Sequence, residues 1–132
     1  MKYMLDTNIC IFVIKHKPEN VIRKFIEHNP EDLCISSITY AELMHGVEKS
    51  QARERNRLAI ALFLSPISIV DFDALAAEEY GRIRADLEAK GKPIGPMDML
   101  IAGHAKSKGL ILVTNNTREF TRVEGLTVED WV

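Results

Sequence analysis

Two cysteines are the whole sulfhydryl content of this 132-residue chain, and they share no Cys-x-x-Cys spacing. Cys10 and Cys34 each sit inside an apolar run (Ile9-Cys10-Ile11 and Leu33-Cys34-Ile35), so they read as reduced, buried small hydrophobes rather than a disulfide or zinc framework. No apolar stretch approaches the roughly 20 residues that cross a bilayer, and the N-terminus lacks the apolar core of a secretion signal. A cytoplasmic protein with no membrane attachment is the expectation. Internal repeats, low-complexity segments and a linker that would divide the chain are also lacking, so residues 1–132 read as one domain. A chain of this size buries roughly two-thirds of its unfolded surface, which makes a structural metal unnecessary. The four histidines, His16, His28, His45 and His104, share no spacing that suggests paired acid–base catalysis. His16 and His28 read as exposed helix ends, and His104 falls on a different helical face from Asp98.

A basic excess is missing too. The net charge of −2 argues at first against a phosphate-rich partner. Of the 19 acids, however, setting aside the three that stand apart in apolar settings leaves fewer than the 17 bases. Composition therefore permits a nucleic-acid partner without predicting one. The bases cluster at Arg53, Arg55 and Arg57, at Arg82 and Arg84, and at Lys90 and Lys92, patterns that a solvated helix face also produces.

What is present is an alternation of short apolar runs with helical periodicity, the mark of an α/β protein around a mostly parallel sheet of four to five strands. Strands are expected at Lys2–Leu5, Leu33–Ser36, Ile67–Val70 and Leu110–Val113, with a short edge strand near Leu126–Val128. Helices are expected from about Asn8 to Lys15, from Pro18 to about His28, after Ser36 or Ser37, from about Ala52 to Leu64, from Asp73 to about Lys90, and after Gly95-Pro96. Leu58, Ala59, Leu62 and Phe63 are the expected buried stripe of the fourth helix. Leu75, Glu79, Ile83 and Leu87 fall at helical intervals in the fifth.

Three acids stand where apolar runs give way to helices. Asp6 ends Tyr3-Met4-Leu5 and is followed by Thr7-Asn8 with no turn glycine, which places a carboxylate at the strand end where open α/β sheets bind ligands. Glu42 lies early in the helix after the second strand, between Ala41 and Leu43. Asp98 lies in the first turn of the helix opened by Gly95-Pro96, among Ile94, Met97, Met99, Leu100 and Ile101, with Ala102, Gly103 and Ala105 allowing close approach to the sheet. Lone carboxylates in apolar settings are costly unless paired or bound to a cation, and no basic residue adjoins any of them in sequence. Mg²⁺ or Mn²⁺ needs only one or two carboxylates, with waters and phosphate oxygens completing its shell. The set reads as a divalent-metal phosphodiesterase site, with Asp6 and Asp98 as metal ligands and Glu42 orienting or deprotonating water. Thr114-Asn115-Asn116 follows the fourth strand as Asp6-Thr7-Asn8 follows the first, which casts Thr114 and Asn116 as supporting residues.

Four ordered segments carry a resemblance that runs nearly end to end: Tyr3-Met4-Leu5-Asp6-Thr7-Asn8, Ser36-Ser37-Ile38-Thr39-Tyr40-Ala41-Glu42-Leu43, Gly95-Pro96-Met97-Asp98-Met99-Leu100-Ile101-Ala102 and Val113-Thr114-Asn115-Asn116-Thr117-Arg118-Glu119-Phe120. The chain resembles the PIN-domain toxins of bacterial VapBC toxin–antitoxin modules. That resemblance implies a three-layer α/β/α sandwich with strand order 3-2-1-4-5 and an Mg²⁺- or Mn²⁺-dependent endoribonuclease. It further implies an RNA substrate, with a tRNA loop as the leading one, a VapB-type antitoxin whose C-terminal segment crosses the active-site groove, and a homodimer. Many relatives carry a fourth acid two residues after the threonine, where this chain has Asn116, a departure that removes a charge from the expected second-metal position. Two other readings remain: a non-enzymatic RNA- or antitoxin-binding protein, and an aspartate-dependent phosphotransfer enzyme. The latter would want a second aspartate where this chain has Asn8.

Overall fold

The computed structural model describes residues 1–132. Five short strands, β1 (Tyr3–Leu5), β2 (Leu33–Ser36), β3 (Ser68–Val70), β4 (Ile111–Val113) and β5 (Val128–Glu129), form one all-parallel sheet in the order β3-β2-β1-β4-β5. The expected α/β sandwich and strand order are therefore observed. The order reverses at β1, so its carboxyl end, where Asp6 stands, opens onto the crevice beside β4.

Seven α-helices, with a short 3-10 turn at Pro30–Asp32, complete the chain: α1 (Thr7–Lys15), α2 (Glu19–Glu27), α3 (Ser37–Glu48), α4 (Arg53–Leu64), α5 (Ala74–Ala89), α6 (Pro96–Ser107) and α7 (Thr117–Phe120). Their starts follow from local chemistry. Ser36 Oγ accepts from Ile38 N at 3.0 Å, Asp73 Oδ1 accepts from Ala76 N at 3.0 Å, and Pro96 opens α6 where its missing N–H costs nothing. Gly91 stops the α5 region with a φ of 65° that favours glycine.

Strand side chains alternate between two cores. Leu5, Leu33, Ile35 and Val113 face α1–α4, whereas Met4, Cys34 and Leu112 face α5 and α6. Both faces are covered, which is why the strands read as continuous apolar runs. Cys10 and Cys34 are free and buried. Trp131 is buried in the first core and stacks on His28 at 4.6 Å between ring centroids, so His28 is a packed aromatic contact rather than a free helix end. His104 is fully buried on α6, with Nδ1 2.7 Å from Ser36 Oγ and its ring edge-on to Phe72.

Three packing expectations are corrected. On α4 the buried residues are Ile60 and Leu64, while Leu58 and Leu62 are 59% and 67% exposed. Apolar residues occur on more than one face of that helix, so periodicity alone chose the wrong phase. Leu75 is likewise exposed on α5, where Ala76, Ile83 and Leu87 turn inward. Gly103 serves the helix–helix contact rather than the sheet: a Cβ there would lie 2.8 Å from Tyr80 N and 3.0 Å from Tyr80 Cα on α5.

Candidate active site

Asp6 is both the last residue before α1 and its N-cap, with an extended backbone that turns the carboxylate across the end of β1. Its Oδ1 accepts from Thr7 N at 2.7 Å and its Oδ2 from Thr114 Oγ1 at 2.7 Å. Thr114 is fully buried at the end of β4, and its Oγ1 also accepts from Asn116 N at 3.0 Å, which ties the second strand end to the first. Thr7 Oγ1 donates to Glu42 Oε1 at 2.6 Å, so one threonine links the aspartate of β1 to the glutamate of α3. Sequence alone does not single out Thr7, although its place between Asp6 and Asn8 is plain.

Asp98 occupies the first turn of α6. Gly95 leaves room for it: a Cβ at that position would lie 3.2 Å from Asp98 Oδ2. Asp98 is half-buried and its pKa is pushed up to about 7, first by loss of water, then by a hydrogen bond to Glu119 and by the nearby charges of Asp6, Glu119 and Glu42. Burial is also the main cause that raises the Asp6 pKa, against the lowering effect of its hydrogen bonds from Thr114 and Thr7.

Glu119 is a member of the site that sequence reasoning does not find. It sits on α7 and accepts from Asn116 Nδ2 at 2.9 Å on Oε2, while its carboxyl reaches Asp98. Asn116 therefore does not leave the position without a charge. It holds in place a glutamate one helical turn further on, and the site contains four carboxylates: Asp6, Glu42, Asp98 and Glu119.

None of these four belongs to any ion pair; the seven salt bridges of the structure use Glu48, Asp73, Glu79, Asp86, Glu88 and Glu124. Four carboxylates gathered around Asp6 and Asp98 without a lysine or arginine paired to any of them favour a hard cation. No three of the chain's Asp, Glu, His or Cys side chains surround one ion-sized point, so a fit rests on one or two carboxylates with water and phosphate oxygens in the remaining positions. Asp6 and Asp98 suit that role, with Glu119 beside Asp98.

The raised Asp98 pKa carries a sign for stability. Its folded value lies above the ordinary carboxylate value of 3.8, so in metal-free protein its contribution is fully present below about pH 4 and is lost as pH rises through about 7. Thermal melts in EDTA should therefore show Tm falling between about pH 4 and about pH 7 and levelling off above, by about 4 °C for each kcal/mol lost. Mg²⁺ at pH 8 should restore it, and Asp98→Asn should flatten the fall. An unchanged slope in that variant would remove Asp98 as the cause.

The fold and the acidic cleft define a PIN-domain protein, and residues 3–126 match the PIN domain family. The chain is 57% identical over 131 residues to the tRNA(fMet)-specific endonuclease VapC of Shigella flexneri, covering 99% of this chain and 98% of that protein. It is 51% identical over 132 residues to Ribonuclease VapC2 of Haemophilus influenzae (strain Rd), covering 100% and 99% respectively. The crystal structure of DNA-bound VapBC from Salmonella typhimurium contains a chain that superposes with a TM-score of 0.94 at 53% identity, covering 100% of this chain and 99% of that one. The chain belongs to the VapC-type ribonuclease toxins of the PIN-domain family, whose partner in the VapBC module is an antitoxin. No helix is long and apolar enough to cross a membrane.

Proposed function

We propose that this protein is a Mg²⁺- or Mn²⁺-dependent endoribonuclease that cuts a tRNA at a loop, with Asp6, Glu42 and Asp98 as the catalytic acids. The observation that supports it best is the four-carboxylate cleft without a basic partner. A bound divalent cation supplies the positive charge that polarises the scissile phosphate and makes water a stronger nucleophile. Asp6 and Asp98 hold that charge, with Glu119 as the acid that shares Asp98's surroundings. Thr114 aims Asp6, and Asn116 aims Glu119. Glu42, oriented by the Thr7 hydroxyl, accepts the proton of the attacking water. Initiator tRNA is the preferred substrate because the Shigella flexneri relative is named for tRNA(fMet). Loops also expose the unstacked bases that proteins read.

A VapB-type antitoxin fits the apolar groove beside Glu42, lined by Ile11, Ile14, Leu43, Val47, Ala59 and Ile60. A peptide lying there reaches the catalytic glutamate directly.

Incubation of the purified chain with initiator tRNA transcript tests the proposal. Cutting is expected in Mg²⁺ or Mn²⁺, loss of cutting in EDTA, and recovery on adding cation back. Cleavage that persists undiminished in EDTA would overturn the metal assignment. RNA binding with no cutting under any cation would favour a binding module instead.

A further inference from the structure

The basic residues of the chain are not equivalent. Arg57 is taken by Glu48, Arg82 by Glu79, Arg84 by Glu88, and Lys90 by both Asp86 and Glu124 at 3.0 Å. Four of the seven cations in the basic clusters visible in the sequence are thus already paired within the protein, Arg53, Arg55 and Lys92 being the exceptions. Lys92 and Arg122 are not: neither forms an ion pair, and both line one polar groove with Thr121 and with the Lys90–Glu124 pair, whose charges offset each other.

That groove is joined to the active site at two points. Arg122 lies three residues beyond Glu119, its N–H donating to the Glu119 carbonyl at 3.1 Å in the turn that follows α7. Arg122 Nη1 also donates to Pro93 O at 3.2 Å. This bond fixes the guanidinium against the Lys92–Gly95 segment, which runs straight into Asp98. The remaining donors of Arg122 are free, and a guanidinium held in place loses less freedom when it grips an anion. The groove beside Glu42 is lined mainly by apolar residues such as Ile11, Leu43 and Ile60, with Lys15 as its one cation.

We infer that Lys92 and Arg122 form a phosphate-binding track that carries the RNA backbone away from the carboxylates on the α5–α7 side. The inference rests on the RNA-cutting reading above for its ligand, and adds a direction of travel and two contact residues. Contacts of this kind hold the strand in register without reading its sequence.

Equilibrium binding of tRNA to the full chain, titrated against salt in EDTA, tests this apart from catalysis. The double variant Lys92→Gln/Arg122→Gln should weaken binding about tenfold and flatten the slope of log K against log salt by about 0.7 for each phosphate no longer neutralised. Lys92 makes no side-chain hydrogen bond or ion pair in the fold, and Lys92→Gln should show about half of the slope change by itself, so a misfolded Arg122 variant leaves the test intact. Arg122→Lys should recover most of the affinity. Arg55→Gln, a free cation on α4 across the sheet, should leave both quantities unchanged. Equal losses from Arg55→Gln, or an unaltered slope in Lys92→Gln, would overturn the track. A parallel cleavage reaction in Mg²⁺ reports on the nuclease reading separately: wild-type binding without cutting would sink that reading and leave the track standing.

Discussion

Asp98→Asn should lower the rate of RNA cutting in Mg²⁺ by at least about a thousandfold, the loss that goes with removing several kcal/mol of transition-state charge stabilisation. The amide keeps the shape of the side chain and its seat at the start of α6, so the fold is not the casualty. Metal-free protein should even gain stability, because a neutral group replaces one that burial and three neighbouring carboxylates disfavour as an anion. The two effects point in opposite directions, which separates loss of chemistry from loss of structure. Single-turnover cleavage of tRNA, with thermal melts in EDTA on the same preparations, measures both. Retention of cutting within about tenfold of wild type would remove Asp98 from the reaction. The ends of the fragments carry a further check. Attack by water leaves no cyclic phosphate, whereas attack by the neighbouring ribose hydroxyl with histidine acid–base help would leave one. His104, the sole histidine buried near this half of the molecule, is held by Ser36 and Phe72 away from that task.

Gly103→Ala should destabilise the protein by about 1–3 kcal/mol, and Gly103→Val by more. Alanine normally gains about 1 kcal/mol over glycine inside a helix. Here the added carbon would overlap backbone atoms of Tyr80 at 2.8 and 3.0 Å, and backbone cannot swing aside as a side-chain tip can. Gly81, also inside a helix but with nothing within 4 Å of a Cβ, provides the opposite case. Gly81→Ala should stabilise by about 0.5–1 kcal/mol. Urea titrations of the two variants should move the midpoint in opposite directions at constant m-value. If Gly103→Ala raised the midpoint as Gly81→Ala does, the close α5–α6 packing would carry no energetic weight.

The strands and helix starts were legible because their signals are local: an apolar run, a serine or aspartate cap, a proline in a first turn. Asp6 and Asp98 were legible for the same reason, each marked by an abrupt change from apolar strand or Gly-Pro turn to a carboxylate. Glu119 was not. It stands in a four-residue helix after an Asn-Asn turn, beside Arg118, and reads as ordinary surface charge; only the bond from Asn116 and the approach to Asp98 give it meaning. In the fold, Phe120 beside it is fully buried and pins that short helix against the second core. The α4 stripe failed for a different cause. Leu58, Ala59, Ile60, Leu62, Phe63 and Leu64 satisfy more than one helical phase, and tertiary packing against α1 and α3 made the choice.

The four acids come from widely separated parts of the chain, and this sets an order in time. At about 5–20 residues per second, a ribosome releases Asp6 several seconds before it adds Glu119. Trp131, which helps to close the first core, follows later still. The acidic cleft is therefore complete only once these later segments have docked.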